Sequence, residues 1–207
     1  MKKIITTIAL LVAVISSAQT QFEQGMGKAF ALWGEGKSME ASAMFERIAG
    51  VEKNSYLPNY YVALINTTSV FTEKDKTKID LLLTKAQDAL DIEMIKDQNN
   101  AELYAMQALI YTGWVVADPM TNGMKYSAKV MEAYAKGKAI DPNNPRIVFG
   151  EADYQLGGAK WTGVDTKPLC AQVDKAIELF ATFKPATAFS PKWGLERALE
   201  SQKKCKK

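Results

Sequence analysis

The junction between two amphipathic segments constrains the fold of this chain more than any other stretch. Residues 125–156 read KYSAKVMEAYAKGKAIDPNNPRIVFGEADYQL, with apolar residues at helical spacing on both sides of DPNNP. Pro142 cannot continue a helix and disfavours helical geometry at Asp141. Asn144 can cap a second helix, because Pro145 suits the first helical turn. The stretch therefore predicts a helix, a tight turn and another helix.

Helix pairs of this kind recur along the chain. Small residues that allow close helix packing stand at corresponding places in four first helices, namely Ala29, Ala63, Ala108 and Ala152. Their spacings of 34, 45 and 44 residues are near a repeat period. We therefore predict an all-α fold, an α-solenoid of degenerate helical hairpins with a C-terminal capping helix. The hairpins are expected at residues 21–53, 56–96, 99–141 and 144–184, and the cap at 190–204.

The two later spacings exceed the first by about ten residues. We expect these additional residues in loops at Thr72–Lys76 and Asp118–Gly123. A third loop is expected at Gly157–Lys167, where two glycines precede Trp161. These loops would interrupt an otherwise regular array.

Several features resemble the tetratricopeptide repeat. AIDPNNP resembles the boundary between repeats, Ala41-x-x-x-Phe45 matches the second-helix pattern, and residues 104–111 (YAMQALIY) resemble the first-helix pattern. The closing stretch KAIELFATFKPATAFSPKWG, followed by a terminal cysteine, is similar to the C-terminus of small secreted tetratricopeptide-like proteins of Gram-negative bacteria. The resemblance implies a helical-repeat scaffold and transfers no functional residues.

The N-terminus has the three parts of a secretory signal peptide. Two lysines precede the apolar run Ile4–Ile15, and small residues follow up to Ala18. We predict a signal peptide at residues 1–18, cleaved near Ala18, and therefore a periplasmic or extracellular protein. With no cysteine near the cleavage point and no later apolar span, we expect neither a lipid anchor nor a transmembrane segment in the mature form.

The composition excludes several function classes. The sequence contains no histidine, which removes the base of Ser-His-Asp and Cys-His sites and the commonest zinc ligand. A net charge of +3 over 207 residues is too low for a concentrated nucleic-acid-binding face. We therefore expect no enzyme activity, no cofactor, no metal and no nucleic acid partner. The alternative is a hydrolase that uses carboxylates without histidine, although the sequence singles out no Asp or Glu for that role.

The two cysteines, Cys170 and Cys205, are an even number in a chain that carries an export signal. We predict a disulfide that joins the last repeat helix to the capping helix. The alternative is a buried thiol at position 170 and a free one at 205.

A concave groove is the candidate binding site. Counting from the corresponding alanine of each first helix, the groove-facing side chains are Met26, Phe30, Trp33, Tyr60, Leu64, Leu109, Arg146, Phe149 and Asp153. Because apolar and aromatic residues dominate, we predict a protein or peptide partner of unknown identity. One alternative is a small ligand, a glycan or aromatic compound, held by Trp33, Tyr60 or Trp161. In the other alternative, neighbouring helices or long loops cover the groove and its side chains are core.

Overall fold

A computed structural model of the protein describes residues 21–206. The predicted signal peptide lies outside this range. Within it the chain forms nine α-helices and no strand. They are α1 (residues 21–34), α2 (Ser38–Val51), α3 (Leu57–Val70), α4 (Lys76–Lys96), α5 (Ala101–Ala117), α6 (Pro119–Ile140), α7 (Pro145–Thr162), α8 (Thr166–Thr182) and α9 (Leu195–Cys205).

Consecutive helices pack as hairpins, and the hairpins stack. The largest helix contacts join α5 to α6, α3 to α4 and α7 to α8. The first helices also contact each other, α3 against α5 and α5 against α7, while α9 packs on α8. The predicted all-α solenoid is therefore confirmed. Ala29, Ala63, Ala108 and Ala152 are all 0% exposed, as close packing between these helices requires.

The junction between α6 and α7 has the predicted geometry. The side-chain oxygen of Asn144 accepts hydrogen bonds from the backbone N–H groups of Arg146 and Ile147, at 3.0 and 3.2 Å. Pro145 occupies the first turn of α7, where no N–H is needed. The backbone N–H of Asp141 closes the end of α6 by donating to the carbonyl of Gly137 at 2.9 Å. Local capping chemistry thus decides where these two helices meet.

The predicted loop at Asp118–Gly123 is wrong. Helix α6 begins at Pro119, and the carboxylate of Asp118 caps it by accepting a hydrogen bond from the Thr121 N–H at 3.2 Å. A capping aspartate followed by proline is a helix start, and this signal outweighs the glycine at position 123.

The predicted loop at Gly157–Lys167 is also wrong over most of its length. Helix α7 continues to Thr162 and ends at Gly163, which adopts a left-handed backbone with φ of 69°. Each helical glycine costs about 1 kcal/mol relative to alanine, which is small beside the packing of the whole helix. The additional residues of the later repeats therefore lie largely in longer helices, since α6 has 22 residues and α2 has 14.

The C-terminal cap is linked covalently to the array. Cys170 of α8 and Cys205 of α9 form a disulfide with Cα atoms 5.7 Å apart, which confirms the predicted pairing. No helix in residues 21–206 is both long and apolar enough to cross a membrane.

Candidate functional site

The concave face of the array is closed by the chain itself. Residues 183–194, called here the C-terminal segment, connect α8 to α9 and pack against α1 and α3. The Tyr61 hydroxyl donates a hydrogen bond to the Phe189 carbonyl at 2.7 Å. The Trp193 indole Nε1 donates to the Tyr60 hydroxyl at 2.8 Å. The Phe189 ring lies 6.0 Å from that of Phe30, with the two planes within 6° of parallel. The groove is therefore filled over much of its length.

A buried ion pair supports the far end of this segment. Arg146 donates to Glu102 twice, from Nε to Oε2 at 2.7 Å and from Nη2 to Oε1 at 2.6 Å. Asn144 and Tyr60 donate to the same carboxylate at 2.7 and 3.3 Å. The ring centroid of Phe183 lies 4.5 Å from the guanidinium carbon. Burial opposes the charge of Arg146, but hydrogen bonding and Coulombic attraction from Glu102 outweigh it and raise the pKa above its usual value.

The predicted groove residues divide into covered and accessible groups. Those that are at most 4% exposed are Met26, Tyr60, Leu64, Arg146 and Phe149. Leu109 is half-buried against the core. Asp153 accepts a hydrogen bond from Ser201 of α9 at 2.7 Å and pairs with Arg197 at 3.2 Å. The interpretation of these residues as an open binding surface is therefore corrected, because the C-terminal segment and the cap cover most of them.

One part of the concave face remains open. A cleft of about 350 Å³ lies between α1, α3 and the C-terminal segment. Its walls are Gly27, Phe30 and Trp33 of α1, Tyr61 and Leu64 of α3, and Ala188, Phe189, Ser190, Lys192 and Trp193 of the segment. We call it the aromatic cleft. Three of the predicted groove residues line it, namely the half-buried Phe30 and Trp33 and, at its base, the buried Leu64.

Sequence reasoning missed the wall that the C-terminal segment contributes. A signal for it exists in AFSPKW, because two aromatic residues within six consecutive residues of the linker are unusual for a solvated loop. Periodicity could not find them, since Phe189 and Trp193 lie outside any helix. Their contacts with α1 and α3 join residues more than 125 positions apart in the chain.

The aromatic cleft is apolar with few free polar groups. Burial raises the pKa of Tyr61, so that its phenol stays protonated, and its hydroxyl already donates to the Phe189 carbonyl. Ser190 accepts a hydrogen bond from the Thr187 N–H at 2.9 Å. Among the described residues of the lining, Lys192 is the one that carries a charge. The cleft can thus contact the faces of a flat apolar molecule and meet one negative charge at its mouth.

A second cleft lies between α4, α5 and α6. It is lined by Asp91, Met94, Ile95 and Gln98 of α4, Tyr104 of α5 and Lys136 of α6, with a volume of about 480 Å³. Its charges are mixed and partly paired, since Lys136 binds Glu132 at 2.7 Å. Trp161, predicted as a possible ligand contact, is 80% exposed at the end of α7 and lines neither cleft.

The described residues contain no group of three or more Cys, Asp or Glu side chains that could hold a metal ion. In the comparisons, no protein-family model and no curated protein matches the sequence. The chain is similar to a solved structure, the HusA haemophore from Porphyromonas gingivalis. The two are 22% identical with a TM-score of 0.77, over 89% of this chain and 92% of that one. At this identity the similarity shows a common fold.

Proposed function

We propose that this protein is an exported binding protein for a planar, apolar small molecule of the porphyrin class, which is bound in the aromatic cleft. The observation that carries the proposal is the closure of the concave groove by the C-terminal segment, which leaves a cleft of about 350 Å³. That volume lies within the range of small-molecule sites. An extended peptide partner would have to displace the segment, so a small ligand is the better supported of the two predicted functions.

The walls of the aromatic cleft favour a flat aromatic ligand. Phe30 and Phe189 stack on each other with ring centroids 6.0 Å apart, and Trp33 lies next to Phe30 with its plane tilted by 28°, so together they form an aromatic wall. Such rings bind aromatic ligands through their faces and edges. The HusA structure is that of a haemophore, and a shared fold makes haem the first porphyrin to test on this chain.

Ring contacts rather than iron coordination are expected to supply the affinity. The sequence has no histidine, and the cleft-lining residues that the structure describes include no cysteine, aspartate or glutamate. The hydroxyl of Tyr61, the phenol among the described lining residues, already donates a hydrogen bond to the Phe189 carbonyl at 2.7 Å. The lining also offers no acid–base pair, which favours binding over catalysis.

The predicted export signal is consistent with a protein that binds a small molecule outside the cytoplasm. We propose that residues 1–18 direct the protein to the periplasm or the exterior, where its disulfide would persist. The helical hairpins would then belong to the tetratricopeptide-like class, with the groove adapted to a small ligand by the C-terminal segment.

The test is a titration of the mature protein with haemin and with protoporphyrin IX, followed by the porphyrin absorbance band. Trp33→Ala removes a cleft wall and should weaken binding about tenfold, which corresponds to about 1.4 kcal/mol. Trp161→Ala is the matched control, because it deletes an exposed indole outside the cleft. Micromolar binding that is weakened only by Trp33→Ala would support the proposal, and equal affinity in both variants would refute the site.

A further inference from the structure

A cation lines the aromatic cleft. Of the lining residues within 21–206, Lys192 is the only charged one, and its side chain is exposed. In residues 21–206 no carboxylate lies within 4 Å of its amine, whereas lysines such as Lys85 and Lys96 have acidic partners. The charge beside the apolar walls is therefore available to a ligand.

The backbone around Lys192 is held on both sides. Ser190 is buried and exchanges hydrogen bonds with Thr187, the backbone N–H of each residue donating to the other at 2.9 and 3.2 Å. The ring of Pro191 fixes its φ angle. The indole N–H of Trp193 donates a hydrogen bond to the Tyr60 hydroxyl. The Cα of Lys192 is thereby held at the edge of the cleft, and only the flexible side chain has to adjust.

We propose that Lys192 is a specificity-determining residue that binds a carboxylate on the rim of the planar ligand while the ring enters the cleft. This inference rests on the proposed function and names the ligand class further, as an amphipathic anion rather than a neutral aromatic compound. The methylene stem of the lysine can lie along the apolar wall while its ammonium stays at the mouth.

One positive charge is enough to favour an anionic ligand over a neutral one. A partly exposed ion pair contributes little to the binding free energy, because solvent screens it. Most of the affinity therefore comes from the apolar walls, while the lysine makes the site specific for an anion. We expect a preference of about fivefold for a dicarboxylate over its neutral ester. Raising the salt concentration should reduce that preference, since the pair lies near solvent.

The experiment compares the dissociation constants of protoporphyrin IX and its dimethyl ester. Wild-type protein should bind the diacid about fivefold more tightly. Lys192→Met keeps the stem and removes the charge, so it should bind both probes with the ester's affinity. Lys192→Arg should retain the preference. Lys184→Met, on the same segment but outside the cleft lining, is the control and should behave as wild type.

The outcomes separate this inference from the proposed function. Equal binding of diacid and ester by wild type, or an undiminished preference in Lys192→Met, would overturn the role of the lysine while leaving porphyrin binding in place. Binding of neither probe would overturn both. Loss of ester binding in Lys192→Met would show that the substitution damages the wall, and would likewise count against a purely electrostatic role.

Discussion

Trp193 donates a hydrogen bond from its indole nitrogen to the Tyr60 hydroxyl at 2.8 Å, across 133 positions of sequence. Tyr60 in turn donates to Glu102, which is paired with Arg146. This chain of contacts connects the C-terminal segment to α3, α5 and α7. The wall of the aromatic cleft is thus attached to the interior of the array, and the cleft depends on the array being folded.

Trp193→Phe should therefore weaken both stability and ligand binding. The substitution keeps an aromatic ring but removes the donor to the buried Tyr60 hydroxyl, a loss of about 1 kcal/mol. Because the same residue lines the cleft, we expect porphyrin binding to weaken several-fold. Urea unfolding and the porphyrin titration measure the two effects. Trp114→Phe is the control, since Trp114 stacks on Tyr126 away from the cleft. Unchanged binding in Trp193→Phe would show that the segment does not contribute to the site.

Removal of one partner of the buried ion pair should be strongly destabilising. Arg146 is 1% exposed, and Arg146→Met would leave the buried carboxylate of Glu102 without a charged partner. The expected loss is about 3–5 kcal/mol in the free energy of unfolding. The double variant Arg146→Met, Glu102→Gln should recover part of it, because no unpaired charge remains. Equal losses in the single and double variants would contradict this account.

Stability should decrease at alkaline pH. Burial, and then the charge of Glu102, raises the pKa of Tyr56 to about 12, and burial raises the pKa values of Tyr60 and Tyr61. Above the ordinary tyrosine pKa of 10.0 the unfolded chain loses these protons while the folded protein keeps them, so unfolding becomes more favourable as pH rises. The free energy of unfolding should fall from pH 10 onward, by up to about 1.4 kcal/mol per pH unit for each tyrosine.

Absorbance at the tyrosinate band, together with urea unfolding at several pH values, measures this dependence. Tyr61→Phe removes one titrating group and should make the decrease shallower. A pH profile that is flat above 10 would mean that these phenols ionise equally in both states.

Two glycines should respond to alanine substitution with opposite signs. A Cβ atom at Gly137 would collide with Ile147 and crowd Tyr104, where α6 approaches α5 and α7. Gly137→Ala should therefore destabilise the fold by about 1–3 kcal/mol. Gly157 lies within α7 with open space around the added atom, so Gly157→Ala should stabilise it by up to about 1 kcal/mol. Thermal unfolding of both variants measures the signs, and stabilisation in both would contradict the close helix approach.

Local sequence signals predict the helix pairs, the start of α7 and the disulfide. Asn144 and Pro145 begin α7 as predicted, the four alanines are buried, and Cys170 pairs with Cys205. These features depend on interactions within a few residues, on helical periodicity or on a count of two cysteines. Even where the loops at 118–123 and 157–167 were predicted wrongly, local signals for the helices were present, namely the Asp118 cap and the C-terminal Gly163.

Whether the concave face is open or covered depends on contacts between distant parts of the chain. Whether Tyr60 and Arg146 line an open groove or lie in the core depends on where residues 183–194 pack. That position is set by contacts with α1, α3 and α7, such as those of Phe189 with Phe30, Trp193 with Tyr60, and Phe183 with Arg146. No local pattern encodes these contacts, because their free energy exists only once distant helices have come together. The aromatic cleft is for that reason a property of the folded array and not of any one segment.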